Sequence, residues 1–155
     1  MTKLGLISDS HGAAIRLAQF TDIATHEKFD AVLCCGDGVS DYRSLSKKLS
    51  MPVYFVAGNC DYQADVPWEL QFDWEGVHCL IVHGHLFASI RYDLTALSYR
   101  ADEVNAQVVF YGHTHIPKVD LVGKTMFINP GALKDGRYAV IEIENGAIRP
   151  KLMEL

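Results

Sequence analysis

Histidine, aspartate and asparagine side chains follow several short apolar runs of this sequence. The stretch FYGHTHIP at residues 110–117 holds two histidines one residue apart, directly after such a run. Asp-Ser-His, Gly-Asp, Gly-Asn-Cys-Asp and His-Gly-His follow four other runs. Taken singly, an aspartate or asparagine at such a place is more often a helix cap or turn residue. Their recurrence, with imidazole, carboxylate and amide groups and no thiolate cluster, predicts a site for Mn²⁺, Fe²⁺, Co²⁺, Ni²⁺ or Zn²⁺.

The candidate ligands are too numerous for one tetrahedral ion. Open α/β sheets place their sites beyond the carboxyl ends of their strands, so five strand ends would converge there. Two ions about 4 Å apart, sharing a carboxylate and a water, would use the whole set. We expect two divalent ions, with manganese as the first expectation and Asp37 as the shared ligand. The candidates are Asp9, His11, Asp37, Asn59, His83, His113 and His115.

The pattern of apolar residues predicts the elements that must position these side chains. Apolar runs alternate with amphipathic stretches through the first two thirds of the chain, which indicates βαβ units. Helices are predicted at 13–28, 42–49 and about 92–103. The last third indicates antiparallel strands, with Asn145-Gly146 as a strong hairpin signal. Strands are predicted at 4–7, 31–35, 53–57, 77–82, 107–111, 118–122, 125–128, 138–144 and 147–153.

Length and composition limit the class of protein. The chain has 155 residues, of which 49% are hydrophobic and 21% charged, so we expect one domain spanning residues 1–155. No signal peptide or membrane span is predicted, and four cysteines without a CxxC pair favour reduced thiols, so the expected location is the cytoplasm. A net charge of −5 argues against binding of extended duplex nucleic acid. The oligomeric state stays open, and a homo-oligomer is compatible with the sequence.

In their order, DSH, GD, GNCD, HGH and GHTH resemble the signature of the calcineurin-like metallophosphoesterase superfamily, in particular its compact phosphodiesterase branch. The resemblance implies an α/β fold, a four-layer αββα sandwich of two mixed sheets flanked by helices. It further implies two ligand sets that share Asp37, so that His113 and His115 serve different ions. The first set is Asp9, His11, Asp37 and His115. The second set is Asp37, Asn59, His83 and His113.

The resemblance also implies a function, and one departure from it affects the chemistry. We expect a metal-dependent phosphodiesterase that attacks a small phosphodiester with hydroxide held by the two ions. Many family members carry a histidine for the leaving group where this chain has Cys60, and a thiol is the poorer proton donor. Cys60 and His85 are the candidate catalytic residues. The alternatives are a phosphomonoesterase with the same site and a protein-interaction scaffold that has kept the fold.

Overall fold

The structure is a computed structural model that describes residues 1–62 and 64–155. Within these residues, three α-helices and one short 3-10 helix accompany ten strands. The helices are α1 (Ala14–Glu27), α2 (Val39–Lys48) and α3 (Thr95–Glu103), and the 3-10 helix covers Leu133–Asp135. The strands are β1 (Thr2–Ile7), β2 (Ala31–Cys34), β3 (Val53–Phe55), β4 (Glu69–Trp74), β5 (Val77–Val82), β6 (Val108–Phe110), β7 (Lys118–Val122), β8 (Thr125–Asn129), β9 (Arg137–Glu144) and β10 (Ala147–Glu154).

The strands form two mixed five-stranded sheets. The first has the order β10-β9-β1-β2-β3, in which β1, β2 and β3 run parallel to one another. The second has the order β4-β5-β6-β8-β7, in which β5, β6 and β8 are parallel. The remaining pairs are antiparallel. Parallel neighbours end at the same edge of a sheet, so the loops after β1, β2 and β3 lie together, as do those after β5 and β6.

Both faces of the central strands are buried, which explains their continuous apolar runs. In β2, Leu33 packs into the core between the two sheets, whereas Val32 packs with residues of α1 and α2. In β5, Ile81 contacts the core between the sheets, and Leu80 packs on the opposite face with residues of α3. The layers are therefore α1 with α2, the first sheet, the second sheet, and α3. This confirms the predicted four-layer αββα sandwich.

The main differences between the structure and the sequence prediction are one strand and two helix starts, and several strand ends differ by one or two residues. Strand β4 was not predicted, because an edge strand that buries one face offers only a short alternating pattern. Helix α2 begins at Val39 and not at residue 42, and the carboxylate of Asp61 accepts the Val39 backbone N–H at 3.1 Å. Helix α3 begins at Thr95 and not near residue 92, and the Asp93 carboxylate accepts the Thr95 backbone N–H at 2.8 Å.

Two tight turns close antiparallel pairs in these sheets. The predicted Asn145-Gly146 turn joins β9 to β10, and both residues have positive φ, 51° and 79°. An equivalent turn, Glu75-Gly76, joins β4 to β5 with φ values of 48° and 80°. Positive φ at both central residues is the geometry of the type I′ hairpin, whose twist matches that of the strands.

None of the helices in residues 1–62 and 64–155 has the length and apolar character that a membrane span needs.

Candidate metal centre

The ends of five parallel strands place the predicted ligands at one location. Asp9 and His11 follow β1, Asp37 follows β2, and Asn59 follows β3, all at one edge of the first sheet. His83 follows β5, and the pair at 113 and 115 follows β6, at the edge of the second sheet. The two sheets share one core, so these two edges come together and their loops face each other.

The first group of side chains surrounds the Asp9 carboxylate, which is fully buried. Its Oδ1 atom lies 3.1 Å from Nε2 of His115 and 3.4 Å from Nε2 of His11. Its Oδ2 atom accepts hydrogen bonds from the Ser8 hydroxyl at 2.5 Å and from the His113 backbone N–H at 3.0 Å. Asp9, His11 and His115 each offer one ligand atom, and these atoms lie within 4.8 Å of one another. This group could hold one metal ion.

The second group surrounds Nε2 of the buried His83. This nitrogen lies 3.2 Å from Oδ2 of Asp37, 3.0 Å from Oδ1 of Asn59 and 3.3 Å from Nδ1 of His113. Nδ1 of His113 is also 3.1 Å from the same Asn59 oxygen. The ligand atoms of Asp37, His83 and His113 lie within 4.8 Å of one another. They form a group that could hold another ion.

The Asp37 carboxylate lies between the two groups. Its Oδ2 atom, which is 3.2 Å from His83, is also 3.7 Å from Nε2 of His11. The groups approach at a second point, where Oδ1 of Asp9 is 3.9 Å from Nε2 of His83. The other Asp37 oxygen accepts the Cys60 backbone N–H at 2.8 Å, which fixes the plane of the carboxylate. This is the position that a shared ligand would occupy.

The tautomer of His83 suits the binding of a cation. Nδ1 of His83 lies 2.6 Å from the carbonyl oxygen of Cys35, which can only accept, so this nitrogen carries the proton. In the neutral ring Nε2 then presents a lone pair toward the acceptors of Asp37 and Asn59. Lone pairs that converge in this way repel one another unless a proton or a metal ion lies among them. A carbonyl-bound Nδ1–H is also the usual partner that orients a metal-binding histidine.

The pKa values at the centre agree with this electrostatic arrangement. Burial raises the pKa of Asp37, but the hydrogen bond and charge of His83 outweigh it, so the pKa lies well below its ordinary value. Burial lowers the pKa of His83, and the carboxylates of Asp37 and Asp9 reverse this, so its pKa is raised. Burial and the nearby His83 lower the pKa of His113. The same carboxylates would stabilise a divalent ion bound at this position.

Most of the candidate ligands have a backbone conformation that is rare outside glycine. A non-glycine residue with positive φ is uncommon, and such conformations cost about 1 to 3 kcal/mol each. They persist where the surrounding structure enforces them, and they cluster at functional sites. In the turns that follow the strands, they direct these side chains into the centre. The φ values are 54° at Asp9, 45° at His11, 55° at Asp37, 68° at His113 and 63° at His115.

Two glycines are required by close approach to the ligands. A Cβ atom at Gly58 would overlap the carboxylate and the backbone nitrogen of Asp37. A Cβ atom at Gly112 would overlap the Ser8 hydroxyl and come 2.6 Å from Oδ2 of Asp9. Any side chain at either position would displace a candidate ligand. In the sequence, Gly58 directly precedes Asn59 and Gly112 directly precedes His113.

Asp61 supports the centre, although it was not among the residues predicted from the sequence. Its Oδ2 atom accepts the backbone N–H groups of Asp37 at 2.7 Å and Gly58 at 2.8 Å. Its Oδ1 atom accepts those of Gly38 and Val39, both at 3.1 Å. One carboxylate thus joins the loop after β2 to the loop after β3. The only signal in the sequence was its place at the end of the Gly-Asn-Cys-Asp motif.

Asn129 supports the other side of the centre in the same way. This fully buried amide donates to the Gly112 carbonyl and to the Thr114 hydroxyl, both at 3.0 Å. Its oxygen accepts the Gly131 backbone N–H at 2.9 Å. It therefore fixes the loop that presents His113 and its neighbour at 115. In the sequence, Asn129 is the first residue of the stretch Asn-Pro-Gly-Ala.

Cys60 and His85, the candidate catalytic residues, lie on different sides of the centre. Cys60 lies near His11, and His85 lies near His83. Sγ of the exposed Cys60 lies within 4.8 Å of ligand atoms of His11 and Asp37. Burial and the carboxylate of Asp37 raise the pKa of this thiol, so it keeps its proton. The ring centroid of His85 is 5.3 Å from that of His83 and 5.1 Å from that of Trp68, which stacks on it. Burial and the neighbouring histidines lower the pKa of His85, so its ring is neutral.

Two histidines without a predicted role lie outside both ligand groups. Nδ1 of His26 contacts the Asp22 carbonyl oxygen within α1 at 2.7 Å. His78 lies 2.6 Å from an Asp73 carboxylate oxygen and 3.0 Å from a Gln71 side-chain oxygen in the β4–β5 hairpin. Both rings therefore have structural partners of their own.

Comparison with known proteins places the chain among phosphoesterases. Residues 2–146 match the family model of the calcineurin-like phosphoesterase superfamily domain. A probable metallophosphoesterase of Bacillus subtilis, YsnB, is 34% identical over 149 residues, which cover 92% of this chain and 85% of that protein. The phosphodiesterase YfcE of Escherichia coli is 33% identical over 90 residues, 52% of this chain and 44% of YfcE. The crystal structure of a predicted phosphoesterase from Streptococcus pneumoniae superposes with a TM-score of 0.81 at 31% identity, covering 99% and 89% of the two chains.

Proposed function

The chain belongs to the calcineurin-like phosphoesterase superfamily, a family of metal-dependent phosphoesterases, and we propose that it is a phosphodiesterase that uses two divalent ions. The observation that carries this proposal is the pair of ligand groups joined by Asp37. One group is centred on Asp9 and the other on His83, and Oδ2 of Asp37 is 3.7 Å from His11 and 3.2 Å from His83. Oxygen and imidazole ligands of this kind suit first-row divalent ions, with Mn²⁺ as our first choice.

The residues of the centre have distinct roles in this proposal. When bound, the two ions supply a water of lowered pKa and neutralise the charge of the phosphoryl oxygens. Asp37 holds the two ligand groups at a fixed separation, while the Cys35 carbonyl keeps the Nε2 lone pair of His83 directed into the centre. Ser8 and the His113 backbone N–H fix Oδ2 of Asp9, so that its Oδ1 faces His11 and His115. Substrate phosphate would then meet a centre that needs no rearrangement of its ligands.

Position 60 bears on the leaving group of the substrate, and a relative bears on the choice of a diester over a monoester. The side chain at position 60 is a thiol, which offers no positive charge to a departing oxygen. A centre of this kind suits substrates whose leaving group needs little protonation, such as aryl or other activated phosphate esters. YfcE, which is 33% identical over 90 residues, is named a phosphodiesterase. The substrate that we propose is therefore a small phosphodiester.

Metal analysis combined with a substrate panel tests the proposal. The purified chain should contain about two first-row divalent ions per protein. With Mn²⁺ or Ni²⁺ added, it should hydrolyse bis(p-nitrophenyl) phosphate faster than p-nitrophenyl phosphate. The reverse preference would favour the phosphomonoesterase alternative. Absence of turnover on both esters with every first-row ion tried would count against an enzyme and favour the scaffold.

A scaffold that had lost catalysis would have no need of a full ligand set. All seven predicted ligands are present, and their positioning is supported by Asp61 and Asn129. We therefore propose the enzyme and keep the scaffold as the outcome of a negative assay. The cytoplasmic location and the homo-oligomer stay predictions from the sequence.

A further inference from the structure

Two clefts of different chemistry open onto the candidate metal centre. One, of about 300 Å³, reaches the centre at His11 and Asp37 and is lined by small and acidic side chains around Cys60. The other, of about 420 Å³, reaches the centre at His113 and lies against the loop between β5 and α3. This second cleft, which we call the aromatic cleft, is lined by residues 85, 87–92 and 113. It has no carboxylate among these lining residues, and Arg91 is its only formal charge.

The aromatic cleft is lined by two aromatic side chains, of which Phe87 packs against the apolar cluster that includes residues of α3. Phe87 and Tyr92 line it, and neither ring packs against another aromatic ring in residues 1–62 and 64–155. The Tyr92 side chain is 88% exposed. In the same part of the chain, the Arg91 guanidinium makes neither an ion pair nor a hydrogen bond. Both ring nitrogens of His85 are hidden from solvent and lack a hydrogen-bond partner among the described residues.

The loop that carries these groups has a defined shape. The Phe87 backbone N–H donates to the Gly84 carbonyl at 3.1 Å, and that of Tyr92 donates to the Ser89 carbonyl at 2.8 Å. Trp68 stacks on His85 from outside the loop, with ring centroids 5.1 Å apart. The side chains of the aromatic cleft are thus presented by a folded turn next to the centre. Such preorganisation lowers the cost of ordering the site when a ligand binds.

We propose that the aromatic cleft binds a flat aromatic ring carried by one ester group of the phosphodiester. The inference rests on the proposed function, because the phosphate must lie at the metal centre for the ring to reach the cleft. Tyrosine and phenylalanine faces stack on aromatic rings, and the arginine plane both stacks on a ring and donates hydrogen bonds in its plane. A nucleobase or an aryl group has this chemistry.

Equilibrium binding tests the cleft without requiring turnover. Titration calorimetry on the metal-loaded chain compares adenosine monophosphate, phenyl phosphate and ribose phosphate, which all carry one phosphate. Stacking and hydrogen bonding of the base should make adenosine monophosphate bind about tenfold more tightly than ribose phosphate. Tight binding of phenyl phosphate as well would identify a general aryl site, and tight binding of the nucleotide alone would identify a nucleobase site. Equal affinity for all three would overturn the proposal.

Variants of the cleft locate the effect. Arg91→Ala and Tyr92→Ala should each reduce the affinity ratio of the aromatic ligand over ribose phosphate to about twofold or less. Tyr92→Phe should keep the ratio of the wild type, because the ring face is retained. Arg149→Ala and Tyr99→Ala remove an exposed arginine and an exposed tyrosine from other elements and should leave the preference unchanged. A preference that survives both cleft variants would exclude this cleft as the binding place.

Kinetics separates this proposal from the proposed function. The trifluoroethyl ester of thymidine monophosphate and methyl trifluoroethyl phosphate share a leaving group without an aromatic ring, and they differ in the second ester group. Arg91→Ala should raise KM for the thymidine ester about tenfold more than for the methyl ester, with kcat little changed. An equal effect on both esters would overturn the cleft proposal while leaving the phosphodiesterase. Ring-dependent binding without any diester hydrolysis would overturn the phosphodiesterase and leave the cleft.

Discussion

Removal of the Asp61 carboxylate should weaken both the fold and the metal centre. Asp61 accepts four backbone N–H groups, at 2.7, 2.8, 3.1 and 3.1 Å, from the loops that carry Asp37 and Asn59. A hydrogen bond to a charged group contributes about 1.5 to 3 kcal/mol. Asp61 is partly exposed, so water can replace the two longer bonds, whereas the two shorter ones join the loops directly. We therefore expect Asp61→Ala to lower the free energy of unfolding by about 3 kcal/mol.

Urea unfolding followed by circular dichroism measures this change. Asp61→Asn is the sharper variant, because it keeps the size of the side chain and one acceptor oxygen while its amide nitrogen faces N–H donors. It should lose about 2 kcal/mol or more. Asp65→Ala, at an exposed position a few residues along the same loop, is the matched control and should stay within about 0.5 kcal/mol of the wild type. A midpoint for Asp61→Ala equal to that of this control would refute the reasoning.

The same substitution predicts an effect on metal binding. Asp61 touches neither of the two groups of candidate ligand atoms, but it fixes the backbone nitrogen of Asp37 and that of Gly58, next to Asn59. Groups that orient metal ligands typically contribute about 10- to 100-fold in metal affinity or activity. Calorimetry with Mn²⁺ on Asp61→Asn, without urea and at a temperature where the chain is folded, should show a loss of Mn²⁺ affinity in this range. Unchanged affinity would mean that the ligands hold their own positions.

Three further substitutions test the centre from different sides. Asp37→Ala should reduce bis(p-nitrophenyl) phosphate turnover by more than about 100-fold, which exceeds the effect expected of a residue that only orients a ligand. The circular dichroism spectrum should stay native. Unchanged turnover would refute two ions that share this carboxylate. Cys60→His should raise kcat/KM at least about tenfold on alkyl diesters and little on aryl diesters, because imidazolium can protonate a poor leaving group. Absence of a selective gain would mean that position 60 has no role in leaving-group protonation. Asn129→Ala leaves the Gly112 carbonyl and the Thr114 hydroxyl without their buried donor and should cost about 2 to 3 kcal/mol in urea unfolding; a loss below about 0.5 kcal/mol would contradict that role.

The sequence predicted the architecture because both faces of the central strands are buried. Strands such as β2 and β5 must then be apolar throughout, and short continuous runs of this kind are visible without a structure. The hairpin at Asn145-Gly146 could also be predicted from the sequence, since few residue pairs adopt positive φ twice in succession. Strand β4 was missed, because only one of its faces packs on the core. The start of α2 was missed as well, because it depends on the carboxylate of Asp61, about twenty residues away in sequence.

The candidate ligands were determined by the sequence, and their support was decided by the tertiary structure. Residue type and position after a strand suffice to choose a histidine or an aspartate as a ligand, because parallel strands end at one edge. Nothing local distinguishes Asp61 or Asn129 from ordinary turn residues, since their partners are loops that meet only when two sheets pack together. The same packing places Arg91 and Tyr92 beside the centre and sets the Cys35 carbonyl against His83. The sequence gives the chemical type of each side chain directly, whereas hydrogen bonds and clefts between loops form only when distant segments come into contact in three dimensions.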